Sequence, residues 1–226
     1  CQAYDYILET LPPGFSWVNY GVTKCITTTD AQKEYISGLF PSIEISVIQP
    51  SIPDYFKASK KPKTPLVAIH TRDPRETMKI IKEFYLRNPQ FKWLTFRDMR
   101  NMSREEFAKV LGEACVGVWV DRISGFGTFP LEAMNCNTPV IGNLPILKPD
   151  WMSQENGLWV YDESKIVEVL GNYIKNWLED NLPAKLYEEM EKTVAPYKED
   201  DERTAVVSYF ENLFNEKKEE FKNSIN

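Results

Sequence analysis

Four short apolar runs separated by amphipathic helical patterns constrain this chain more than any other feature. They are Leu66-Val67-Ala68-Ile69, Phe91-Lys92-Trp93-Leu94-Thr95-Phe96, Val116-Gly117-Val118-Trp119-Val120 and Thr138-Pro139-Val140-Ile141. Between the first two, residues Glu76 to Leu86 carry Met78, Ile81, Phe84 and Tyr85 on one helical face. Between the second and third, Ser103 and Glu106 have the spacing of a capping box. Phe107, Val110, Leu111 and Ala114 follow at i, i+3, i+4 and i+7. The runs recur at the length of one strand plus one crossover helix. Strands this uniformly apolar must be covered on both faces, which predicts a parallel sheet in a doubly wound α/β domain. Such sheets take their ligands at the carboxyl ends of the strands.

The flanks read differently. Residues 1–48 hold an aromatic-rich opening, Thr27-Thr28-Thr29, and a helix predicted from Asp30, as N-cap, to Leu39. Ile43 to Ile48 alternates as a strand does, and Gln49-Pro50-Ser51-Ile52-Pro53 breaks it. Lys60 to Pro65 reads as a linker. Toward the carboxyl end, Ile166, Leu170, Tyr173, Ile174 and Trp177 form one helical stripe; Val206, Phe210, Leu213 and Phe214 form another on a highly charged helix. The acids Glu199-Asp200-Asp201-Glu202 suit that helix's positive end. Trp151, Trp159 and Trp177 read as core.

Composition narrows the function. The 27 basic against 33 acidic residues leave a net charge of −6, which argues against nucleic acid as a partner. No apolar run reaches membrane-span length, and no signal-peptide core is present. The four cysteines, at 1, 25, 115 and 136, form no C-x-x-C pair and have a single histidine for company. No metal site is expected, and the thiols read as reduced, buried residues of a cytosolic protein. Opening at Cys1 without a methionine, the chain is expected to be an excerpt of a longer protein.

The segment richest in chemistry runs from Asp121 to Gly142. A strand ends near Val120, and a turn bearing Gly125 and Gly127 opens a helix at about Thr128. Free N–H groups in the first turn of that helix suit a phosphate, and Glu132 lies just over one turn further along. Asn137 suits a left-handed helix end. Asp121 and Arg122 are expected to pair locally.

This segment resembles the retaining glycosyltransferases of the GT-B fold, whose donor domain carries E-G-F-G-x-x-x-x-E-A-M-x-x-G-x-P-V-I. Here the element reads S-G-F-G-T-F-P-L-E-A-M-N-C-N-T-P-V-I, residues 124–141. The linker-like Ile43-Glu44-Ile45-Ser46-Val47-Ile48-Gln49-Pro50 is similar to the place where the family's amino domain hands over to the donor domain. The resemblance implies a Rossmann-like donor-binding domain over 65–195, the end of an amino domain over 1–50, a linker over 51–64, and a helix over 196–226 returning toward the amino domain.

The resemblance also implies roles. Glu132 falls at the ribose-binding glutamate; the backbone of Gly125, Phe126, Gly127, Thr128 and Phe129 falls at the donor phosphates. Ser124 stands where the family has a glutamate on the donor sugar, and a serine offers one hydroxyl in place of a carboxylate. His70-Thr71-Arg72-Asp73-Pro74-Arg75 follows the first strand. Arg72 fits the family's phosphate arginine, whose fork matches an oxyanion, and Arg75 or Lys79 would replace the missing lysine. Phe96-Arg97-Asp98-Met99 falls where the base is seated. His70 reads as structural. The expected activity is transfer of a sugar from a nucleotide diphosphate sugar to a hydroxyl of a glycan, lipid or protein, with retention and without a metal or other cofactor. Arg72 and Glu132 are its central residues. The expected place is the cytoplasm or the cytoplasmic face of a membrane. The excerpt alone, lacking most of the amino domain, is expected to turn over little. The alternative is a non-catalytic nucleotide-sugar binding module, for which Ser124 argues.

Overall fold

The computed structural model describes residues 1–8 and 11–225. Two parallel sheets organise it. The smaller pairs β1 (Lys24–Thr27) with β2 (Glu44–Val47), joined by α1 (Asp30–Leu39). The larger has five strands in the order β4-β3-β5-β6-β7, all parallel: β3 (Thr64–Thr71), β4 (Thr95–Asp98), β5 (Ala114–Val120), β6 (Val140–Asn143) and β7 (Leu158–Val160). The doubly wound α/β class expected from the sequence is therefore present.

Crossover helices α2 (Pro74–Arg87), α3 (Arg104–Glu113) and α4 (Thr128–Asn135), with α5 (Ile166–Leu178) after the last strand, cover both faces of the larger sheet. They are followed by α6 (Ala184–Val194) and α7 (Glu199–Ile225). β5 is buried at every position, as a central strand between two helical layers must be. On one side Trp119 packs with Phe107, Leu111, Leu131 and Met190. On the other, Val116, Val118 and Val120 pack with Phe84, Leu170 and Ile174. Each large apolar side chain so buried contributes about 1.5–3 kcal/mol. A separate cluster of Ile7, Ile36, Phe40, Ile43 and Ile45 underlies the small sheet. Because β3 sends the chain first to β4 on one side and then to β5 on the other, the winding reverses between β3 and β5. That is where a crevice opens at the strands' carboxyl ends.

Several local expectations are corrected. The second apolar run is not a strand from residue 91: Pro89–Phe91 is a 3-10 turn, and β4 pairs with β3 only from Thr95. The N-cap of α1 is Thr29, whose hydroxyl accepts from Gln32 N, and Asp30 is the first helical residue. Helix α2 begins earlier than expected because Asp73 caps it and Pro74 occupies its first position. Only half of the Ser103 capping box forms: Ser103 Oγ accepts from Glu106 N at 3.2 Å, but the Glu106 carboxylate accepts from Arg97 at 2.7 Å. All four cysteines are free, but only Cys115 and Cys136 are buried; Cys1 and Cys25 are partly exposed. Trp159 is buried, whereas Trp151 and Trp177 are half-buried against the core. On α7, Phe210 and Phe214 are exposed. Among the described residues, no helix is long and apolar enough to cross a membrane.

Candidate functional site

At the winding reversal, β3 delivers His70, Thr71 and then Arg72, while β5 delivers Val120 and Asp121. Arg72 N donates to Val120 O at 3.2 Å, extending the pairing of the two strands by one residue. The Arg72 guanidinium grips Asp121 with both prongs, Nε to Oδ1 at 3.1 Å and Nη2 to Oδ2 at 3.0 Å. The Arg72 side chain stays 50% exposed, so the pairing anchors the cation without hiding it. The local Asp121–Arg122 pair expected from the sequence does not form. Arg122 reaches Glu163 instead, at 2.5 Å, because the two side chains leave the end of β5 toward different neighbours.

Asp121 also builds the turn. Its Oδ1 accepts from Ile123 N and Ser124 N, each at 3.1 Å, and its own N–H donates to Asn143 Oδ1 at 2.9 Å. This side chain-to-backbone pattern is the Asx turn that aspartate favours after a strand. Ser124 Oγ then accepts from Gly127 N at 3.0 Å. Gly127 caps α4 with φ at +76°, a conformation other residues rarely adopt. The Trp151 indole N–H donates to Phe126 O at 2.7 Å and braces the turn from outside. Gly125 N donates to Gln2 O at 3.1 Å, so residues 2–4 lie along the turn, with Ala3 bridged to Ser124. Gly125 and Gly127 have thus committed their N–H groups, while those of Thr128 and Phe129 have no acceptor among the described residues. Those two amides stand at the positive end of α4.

Glu132 lies one turn deeper and is only 4% exposed. Its Oε1 accepts from Arg104 Nη2 at 2.5 Å. Burial pushes its pKa above the usual carboxylate range, and Arg104 pulls back against that rise. Between Glu132 and the strand ends lies an aromatic layer. Phe129 stacks on His70 with centroids 5.4 Å apart, and Phe107 meets Phe129 edge-on at 6.0 Å. His70 is largely buried, which holds its pKa below the ordinary value, and its Nδ1 has no partner among the described residues. Its ring serves the packing beneath Phe129.

The other sequence candidates lie further out. Arg75 is pinned to its own N-cap, Asp73, at 2.8 Å with its side chain 91% exposed, and lines a concavity on the outer face of α2 with Met78 and Lys79. Arg97, at the end of β4, pairs with Glu106 at 2.7 Å. The loop after β4 is drawn onto β3 by Met99 N donating to Ile69 O at 3.0 Å, with Asp98 paired to Arg100. Sequence reasoning missed two residues that organise the site. From sequence Asp121 reads only as a local ion-pair partner, although an aspartate directly after a strand is itself a turn signal. Arg104 carries no local signal at all, since its partner lies on a different helix. Among the described residues, no cluster of His, Cys, Asp and Glu could hold a metal ion.

The same architecture recurs in known proteins. The pneumococcal O-GlcNAc transferase GtfA, solved with UDP and GlcNAc, superposes with a TM-score of 0.62 at 17% identity, over 87% of this chain and 46% of that one. TarM gives a TM-score of 0.64 at 15% identity, over 95% of this chain and 49% of that one. Sucrose-phosphate synthase of Thermosynechococcus elongatus gives 0.60 at 17% identity, over 85% and 58%. The fold is that of the GT-B glycosyltransferases. In sequence, 100 residues are 33% identical to an α-1,6-glucosyltransferase of Actinobacillus pleuropneumoniae serotype 7 (strain AP76), a match covering 43% of this chain and 30% of that protein. No protein-family model matches the chain. The chain therefore spans about half the length of the solved GT-B structures it matches. Its five-stranded parallel sheet flanked by helices matches the Rossmann-like architecture of those structures.

Proposed function

We propose that this chain is the donor-binding part of a glycosyltransferase that moves a sugar from a nucleotide diphosphate sugar to an acceptor hydroxyl, with retention. The observation carrying the reading is the convergence, at one reversal point of the sheet, of an anchored but exposed arginine and two unpaired helix amides. In this reading the Thr128 and Phe129 amides and Arg72 hold the diphosphate. When the bond from the anomeric carbon to the phosphate oxygen breaks, its electron pair stays with the diphosphate. A guanidinium and a helix N-terminus fixed in advance stabilise that charge without reorganising. Glu132 accepts from a ribose hydroxyl. Ser124, with Oγ already accepting from Gly127 N, has its O–H left to donate to the sugar. Arg97 flanks the base, and Arg75 contributes only if it leaves Asp73. The acceptor, whether glycan, lipid or protein, is held by residues outside the donor half.

A second reading, a nucleotide-sugar binding module without turnover, draws on the same Ser124: its oxygen is tied into the turn by Gly127 N and supplies no carboxylate to the sugar. Titration calorimetry with UDP, GDP and ADP separates the possibilities. Binding of one diphosphate, weakened about 10- to 100-fold by Arg72→Ala, is expected from the loss of a charge-assisted contact. The corresponding nucleoside should be much less affected. Absence of binding by all three refutes the donor site; binding without sugar transfer, in a protein supplied with both halves, favours the second reading.

A further inference from the structure

Helix α3 begins with a residue of the wrong charge. Its first turn carries Glu105 and Glu106, which suit the positive end of a helix, but its first residue is Arg104. Nothing in α3 itself accounts for a cation there. The side chain turns off the helix instead. Its guanidinium carbon lies 4.8 Å from the Phe56 ring centroid and 5.6 Å from that of Phe107. Arg104 Nε donates to Tyr55 Oη at 3.4 Å, and Nη2 donates to Glu132 Oε1 at 2.5 Å. Two aromatic faces and two polar contacts fix this arginine against the one buried carboxylate of the site. On Glu132 the arrangement is one-sided: Oε2 accepts no hydrogen bond among the described residues, and it is not among the sealed, unpartnered polar atoms.

We propose that Arg104 is a positioning residue for nucleotide recognition: it keeps Glu132 ionised and holds Oε1, so that Oε2 is left as the acceptor for a ribose hydroxyl. The inference rests on reading Glu132 as the ribose contact. The physical reason is that a carboxylate removed from water takes up a proton unless a cation compensates it. A protonated Glu132 would have one oxygen turned donor and would lose most of its preference for a hydroxyl that donates. Arg104 thus acts on ribose through Glu132 and need not touch the nucleotide.

The neighbourhood allows the idea to be isolated by pH. The titratable and charged groups facing α4 are Arg104 and Tyr55, His70 behind Phe129, Cys136 at the helix end with Lys63 donating to its carbonyl oxygen at 2.8 Å, and Tyr187 with the exposed Glu188 and Glu191 of α6. Burial holds His70 below its ordinary range and pushes the Cys136 thiol up to about 12. Between about pH 6.5 and 8.5 neither changes charge; Lys63, brought down to about 8 by burial, titrates in the upper part of that window in every variant, so the Glu132→Gln profile records its share.

The test compares wild type, Arg104→Met, Arg104→Lys and Glu132→Gln in the full chain, with folding checked by circular dichroism. Calorimetry reads the affinities for UDP, GDP and ADP and for their 2′-deoxy and 3′-deoxy counterparts across that pH window. Wild type should prefer the ribonucleotide by about tenfold, independent of pH. Arg104→Met, which preserves apolar contact with Phe56 and Phe107, should lose the preference at the acid end and regain it as pH rises. Arg104→Lys should retain most of it, and Glu132→Gln should lack it throughout. An Arg104→Met profile as flat and as selective as wild type overturns the proposal, as does a loss of selectivity that no rise in pH restores. Failure of the wild type to bind, or to discriminate against deoxyribose, instead strikes at the reading of Glu132 itself, and the role of Arg104 falls with it.

Discussion

Replacing Asp121 should expose how much of the site rests on a single side chain. Its carboxylate accepts four hydrogen bonds: two from Arg72 and one each from the Ile123 and Ser124 amides. The two classes differ in worth. The Arg72 pair has a half-exposed cation, so solvent screening limits it to about 1 kcal/mol or less. The amides lie in a partly buried turn and lose their acceptor entirely in Asp121→Ala, at about 1 kcal/mol each. Asp121→Ala should therefore cost about 2–3 kcal/mol, or about 5–10 °C in Tm for a chain of this size. Asp121→Asn keeps an oxygen for both amides and forfeits only the charge pairing, so it should cost about 1 kcal/mol. Urea unfolding followed by tryptophan fluorescence measures both. The midpoints should move in that order with unchanged slope, since the surface exposed on unfolding is the same. If Asparagine proves as damaging as alanine, charge and not the turn is what Asp121 supplies. If alanine stays within about 0.5 kcal/mol of wild type, the turn is held by Ser124, Trp151 and the 2–4 segment without it.

Acid should destabilise the fold through His70. Its folded pKa is depressed by burial, so below the unfolded value of about 6.5 the unfolded chain binds the proton more readily. Stability present above that pH is lost as pH falls toward 5, and His70→Phe should flatten this part of the urea-midpoint profile; equal slopes in both proteins would exclude His70 as the cause. Glycine substitutions should divide by space. A Cβ on Gly142 would stand 2.6 Å from the Trp119 carbonyl oxygen, whereas one on Gly38, within α1, would meet nothing within 4 Å. Gly142→Ala should cost about 1–3 kcal/mol and Gly38→Ala should gain about 0.5–1 kcal/mol, a contrast that thermal melts of the two variants will show or deny.

The fold was legible where backbone chemistry is written locally. The apolar runs at β3 and β5 and the amphipathic α3 and α5 need only their own periodicity; the run from Thr138 enters β6 only at Val140 and the strand continues to Asn143. Asn137 takes the left-handed conformation expected of it, with φ at 55°. The run from Phe91 misled because its aromatics satisfy alternation while doing other work. Phe91 is buried against Phe84, but Trp93 stays 47% exposed. The start of β4 is dictated by its register on β3, with Thr95 opposite Leu66. Caps shifted by one or two residues for a similar reason: Thr29 and Asp30 are both competent, and the approach of the chain decides between them.

The charged residues show where local reading ends. Arg72 and Arg75 stand three apart after β3, and from sequence both suit the same diphosphate. Arg75 sits inside the first turn of α2, where the N-cap Asp73 is already within reach, and its 91% exposure follows from that short tie. Arg72 is the last residue to pair across β3 and β5, so the parallel register sets it beside Asp121, a residue 49 positions away. The register comes from the order β4-β3-β5, which no window around either arginine contains. Arg104 and Glu132, 28 positions apart on two helices, are joined in the same way by the packing of α3 on α4. A site of this kind has its anion-binding backbone encoded in a short run and its side-chain electrostatics encoded in the topology, so the first can be read from residues 121–137 alone and the second only from the folded chain.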